Sequence, residues 1–127
     1  MPNDDFYYLH SLYKLAAIDG EVSAQEREYF EAIASKLGLS LGEIEESQEK
    51  EPWTKIKAPA VQKLLLKDLF FVSYADGRQD PKESKFIQKI VESYRIAPEV
   101  VSEIDDFVKQ GVAWIDRGQN LFGVRLI

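Results

Sequence analysis

The chain has 127 residues, 45% hydrophobic and 30% charged, with 22 acids against 16 bases and no cysteine. That length and balance fit one globular domain with its own core and exclude a disordered segment, and the missing thiols exclude disulfides, cysteine nucleophiles and thiolate metal sites. The acids are concentrated: residues 1–51 hold twelve acids and four bases, net −8, whereas residues 52–127 hold ten acids and twelve bases. The acidic part repels nucleic acid and anionic lipid, and suits a divalent cation or a basic protein partner.

The apolar residues recur at helical spacing throughout. Leu9, Leu12, Tyr13 and Ala16 predict a helix over about 5–18, and Gly20 supplies its stop. Ser23 with Glu26 three residues later is a capping box, and opens a second helix with the stripe Tyr29, Phe30, Ile33, Ala34 and Leu37, closed by Gly38. Ser40 with Glu43 repeats the capping pattern and predicts a short third helix through Leu41 and Ile44. Residues 51–59, bounded by Pro52 and Pro59, are expected to be a linker.

A second set of elements comes next, on the same plan. Residues 60–75 carry Leu64, Leu65, Leu66, Leu69, Phe70, Phe71 and Val72 on nearly every side of a helix, the pattern of a central, buried one. Asp80 takes the N-cap place with Pro81 at the first helical position and Glu83 three residues on; Phe86, Ile87, Ile90, Val91 and Tyr94 form the next stripe. Pro98 opens a last helix with Val100, Val101, Ile104, Phe107 and Val108, expected to end near Gly111 or a turn beyond. The remainder, residues 111–127, reads as a tail whose Leu121 and Phe122 either pack back on the bundle or meet a partner or another subunit.

The two sets are related by an internal duplication. Leu9–Glu46 reappears, shifted by 57 positions, as Leu66–Glu103, and each copy carries an Asp-Gly turn, at Asp19-Gly20 and at Asp76-Gly77. A repeat of this size means one supersecondary unit used twice, neither copy burying its apolar face alone. The expected fold is therefore all-α: a single compact bundle of six to seven helices in two pseudo-symmetric three-helix repeats, about 5–50 and 60–110.

These turns resemble those of the tellurite-resistance TerB-like domain family. They read Leu-Ala-Ala-Ile-Asp-Gly-Glu-Val-Ser-Ala-Gln-Glu from Leu15 to Glu26 and Val-Ser-Tyr-Ala-Asp-Gly-Arg-Gln-Asp-Pro-Lys-Glu from Val72 to Glu83, with Gln79 standing where the family has an aliphatic residue. The resemblance spans about Leu9–Glu103. It implies a cytoplasmic helical module of stress-response and metal-related systems, also found fused to chaperone partners, with divalent metal held by the acids that match here: Asp19, Glu26, Asp76 and Glu83.

Carboxylates are the hard oxygen ligands that magnesium, calcium or manganese prefer. Asp19 and Asp76 also stand at helix C-termini, where the macrodipole disfavours an acid by about 0.3–1 kcal/mol. The competing reading is structural: an aspartate before glycine accepts loop amides, and Glu26 and Glu83 have capping roles. A calcium EF-hand is excluded, because Leu15 and Ala17, and Val72 and Tyr74, fall where its first and third ligands belong.

The remaining chemistry is sparse. His10 is the single histidine and has no companion for a zinc site or a nucleophilic relay, and Ser23 lacks a base. No phosphate-binding glycine loop is present in the sequence. Trp53 lies between the acidic run Glu45–Glu51 and Lys55 and Lys57, where a docking hot spot would sit; Trp114 reads as a packing anchor. No N-terminal stretch has the order of a signal peptide, and Lys67 and Asp68 break the longest apolar run, so a cytoplasmic location with no membrane span is expected. The expected function is a non-enzymatic interaction module, requiring no cofactor, that docks an unidentified protein or self-associates through Trp53, Leu121 and Phe122. The alternative is a divalent-metal binding or sensing domain.

Overall fold

A computed structural model describes residues 3–18, 20, 22–75 and 80–123. The fold is all-α. Its helices are α1 (Asp4–Ala16), α2 (Ala24–Lys36), α3 (Leu41–Glu46), α4 (Pro59–Ala75), α5 (Pro81–Tyr94) and α6 (Pro98–Phe122), with a 3-10 turn at Pro52–Lys55 and no strand among the described residues. The chain clusters into two compact units, Met1–Leu65 and Leu66–Ile127, divided within α4.

Local chemistry sets most of the helix starts in the first unit. Asn3 caps α1, its Oδ1 accepting the Phe6 amide at 3.1 Å. Asp4 and Asp5 in the first turn and Lys14 in the last complement the helix dipole. The capping box of α2 is complete: Ser23 Oγ accepts the Glu26 amide and Glu26 Oε1 accepts the Ser23 amide, each at 3.1 Å. Gly38 ends α2 at φ 71°, and the Leu39 amide reaches back to the Ala34 carbonyl at 2.7 Å.

Three expectations for this unit are corrected. The Ser40 side chain makes no cap hydrogen bond, so α3 lacks the predicted capping box and spans only six residues, burying Leu41 and Ile44. Of the stripe on α2, Tyr29 and Leu37 are exposed, while Phe30 and Ala34 are buried. Residues 51–59 are more than a linker: Pro52, Trp53 and Ile56 are buried, and α1 packs against their 3-10 turn. Gln62 at the start of α4 donates to the Ile56 carbonyl at 2.9 Å and Thr54 to the Glu51 carbonyl at 2.7 Å, which fixes this short segment. Its core is completed by Phe6, Leu9, Leu12 and Leu15 of α1.

In the second unit, α5 starts at Asp80, whose carboxylate accepts the Lys82 amide at 2.8 Å, with Pro81 at the first helical position. The cap bond thus runs to Lys82, while Glu83, expected to serve a cap, is buried on the inner face with Ile87, Ile90 and Val91. On α4, Leu66 and Leu69 are fully buried, but Phe70, Phe71 and Val72 are only partly so; apolarity on all sides does not mean burial on all sides. Arg95 closes α5 at φ 55°, in the left-handed region that glycine occupies more readily.

The larger correction concerns α6. Gly111 does not stop it; the helix runs 25 residues to Phe122 and is closed by Gly123 at φ 68°, whose amide donates to the Gln119 carbonyl at 2.9 Å. An interior glycine costs about 1 kcal/mol relative to alanine, too little to break a helix whose flanking residues favour it. Residues 117–122, expected in a folded-back tail, are therefore helical. The Tyr74 hydroxyl donates to Asp105, Lys109 pairs with Asp105 at 3.1 Å, and Lys109 Nζ lies 5.7 Å from the Tyr74 ring centre, so α4 holds the first half of α6.

Candidate functional site

The acidic set expected at the Asp-Gly turns is only partly described. Asp19 and Asp76 lie outside the described residues. Glu26 is exposed and its carboxylate is engaged in the capping box, and Glu83 is buried. Among the described residues, no group of three or more histidine, aspartate or glutamate side chains is placed to hold a metal ion.

Trp53 is 2% exposed. It is a core residue of the first unit, and its indole is closed to a partner; the docking role expected of it is corrected accordingly. His10 is likewise inside, 3% exposed, edge-on to the Phe6 ring at 5.7 Å, with Nδ1 buried and no hydrogen-bond partner among the described residues. Burial, reinforced by Lys14 and opposed by Glu49, lowers its pKa to about 4, so the imidazole is neutral near neutral pH. A polar clasp joins α1, α2 and α3: Tyr13 donates to Glu45 Oε2 at 2.6 Å, and Arg27 bonds Glu45 Oε1 at 2.7 Å and also Glu31. Burial and then the Glu45 bond push the Tyr13 hydroxyl up to about 12, and the Tyr13 bond holds Glu45 below the usual carboxylate range. These bonds tie α1, α2 and α3 together.

The second unit has a cleft of about 190 Å³, floored by Phe70, Ile87, Val91 and Val101 and edged by Ser73, Tyr74, Ser84 and Gln88. Small-molecule sites usually enclose roughly 300–1,000 Å³. The cleft is small for that purpose.

The feature that packing leaves unexplained is the outer face of α6. Phe107, Trp114, Leu121 and Phe122 are each between 67% and 71% exposed. At about 100° per residue, Phe107, Trp114 and Leu121 fall within about 40° of one another, forming a stripe along roughly 21 Å of helix. The side turned inward is a different one, centred on buried Val108 with half-buried Val101 and Ile104 beside it. The apolar arc of α6 is therefore about twice as wide as the part that the unit covers. Between the two sides stands Gly111, with open space where a side chain would project.

Of the two residues expected to meet a partner, Leu121 belongs to this face; Phe122 is exposed too, but lies about 100° further round, within about 40° of Val108. Phe107 and Trp114, which the sequence presents as core and as a packing anchor, belong to it as well. Their seven-residue spacing is the signal that finds them. Gly111 obscures it by looking like the end of the helix.

No protein-family model, curated protein or solved structure matches the chain.

Proposed function

We propose that this chain is a TerB-like protein-interaction module without a reaction of its own, and that it docks other protein through the outer face of α6. The observation that carries this reading is the exposure of four large apolar side chains on one helix, Phe107, Trp114, Leu121 and Phe122. Contiguous apolar surface of this extent is costly to leave in water and marks interaction sites. No helix of the described residues is long and apolar enough to cross a membrane, which removes a transmembrane explanation for these side chains. The cytoplasmic, stress-related setting is part of the same proposal and rests on the resemblance of the two turns.

A benzophenone side chain placed at position 114 is expected to crosslink to protein in cells, while the same group at exposed position 92 on α5 is not. No crosslinking at 114, or equal crosslinking at both, would remove the docking reading. Binding of magnesium, calcium or manganese by calorimetry, lost on Asp19→Ala, would put the metal-binding alternative in its place.

A further inference from the structure

The occupant of the α6 face can be read from its symmetry, area and charge. Trp114 lies midway between Phe107 and Leu121 in the sequence. Two such helices laid antiparallel about Trp114 place Trp114 on its own copy and Phe107 against Leu121 at both ends. An isologous contact of this kind uses one patch on each chain and closes on itself. Gly111, with open space beside it, leaves room for the facing helix to approach.

We infer that the outer face of α6 is a homodimer interface in which the helices of two copies cross antiparallel about Trp114; this rests on the docking reading above. Two-thirds exposed, Phe107, Trp114 and Leu121 present roughly 400 Å² per copy, or about 800 Å² for the pair, the size of a weak, concentration-dependent interface. Charge points the same way. The chain carries −6 overall and its first 51 residues carry −8, so two copies repel across most orientations. From Phe107 to Gly123 the charged residues are Lys109, Asp116 and Arg117 alone. In the antiparallel register these face Gln119, Val112 and Gly111, and no like charges meet. A basic partner, by contrast, would find few acids along this face to bind.

The test is the mass of the full chain by sedimentation equilibrium between about 1 and 100 μM. A concentration-dependent dimer is expected, with Trp114→Glu and Leu121→Glu each weakening it roughly 30-fold or more while circular dichroism stays unchanged. A monomer throughout, or a dimer insensitive to both substitutions, would overturn the inference. Register is read by mixing Gln110→Cys and Gly118→Cys chains, which have no native thiol to interfere. A heterodisulfide supports the antiparallel pair; homodisulfides overturn it. Crosslinking at position 114 to other proteins by a chain that stays monomeric would leave the docking reading standing and remove only the second copy.

Discussion

In the first unit the third helix, α3, stops after six residues and the chain returns through a 3-10 turn that buries Trp53. In the second, the helix that starts at the matching position, α6, continues for 25 residues and leaves Trp114 69% exposed. The starts of α2 and α3, at Ala24 and Leu41, recur as those of α5 and α6, at Pro81 and Pro98, the same 57 positions on. The starts of α1 and α4, at Asp4 and Pro59, do not keep that spacing, and α3 and α6 differ in all that follows their starts. Where the chain turns back, an indole closes the core; where the helix runs on, an indole stays exposed. Similar local plans thus give a closed unit and an open one.

Substitution of the two tryptophans is the strongest way to break this contrast. Trp53→Ala is expected to destabilise the protein by about 3–5 kcal/mol, enough to unfold the first unit, as read by urea denaturation. Equal tolerance of Trp53→Ala and Trp114→Ala would erase the distinction. Acid sharpens it next, because the single histidine lies in the closed unit. His10 has its folded pKa lowered to about 4 against 6.5 for the free group. Above the free value both states are neutral and stability is undiminished. As pH falls from there toward 4 the unfolded chain takes the proton first, and roughly 3 kcal/mol is lost. His10→Leu should flatten the stability–pH curve in that window; an unchanged curve would mean that other groups control it.

The caps offer a smaller comparison. Ser23→Ala removes the hydroxyl half of the α2 capping box and should cost about 1 kcal/mol in thermal unfolding, similar to Asp80→Ala at the start of α5. A much larger loss at Ser23 would mean that its neighbouring turn does more than cap a helix. The least effect belongs to Trp114→Ala, which should stay within about 0.5 kcal/mol when measured on dilute protein.

Much of this is legible because helix starts are local events. Ser23 with Glu26, Pro81 after Asp80, and Pro98 each satisfy or dispense with free amides within one turn, and no distant residue needs to be known. Burial is not local. Trp53 and Ile56 sit in too short a segment to show a period, and only the packing of α1 against them makes them core. Gly111 has the right local chemistry for a stop, but its small cost is overridden by favourable neighbours. The exposed apolar face of α6 is half legible. Leu121 and Phe122 stand out as apolar residues in a polar tail, whereas Phe107 and Trp114 share their helix with a buried seam, and periodicity alone does not say which side a neighbour covers. Gly20, expected to stop α1, lies beyond the helix end: α1 closes at Ala16 with Ala17 as its cap, and Gly20, at φ 100°, belongs to the turn that follows, its amide donating to the Ala17 carbonyl at 2.9 Å.

The opposite settings of the two indoles also make the chain its own reporter. Trp53, enclosed in the first unit, emits from an apolar surrounding that iodide cannot enter, and Trp114, on the second, emits from water and is quenched freely. Loss of the short-wavelength component therefore tracks opening of the first unit, and protection of the long-wavelength one tracks coverage of α6. One emission spectrum separates folding from association without any added label.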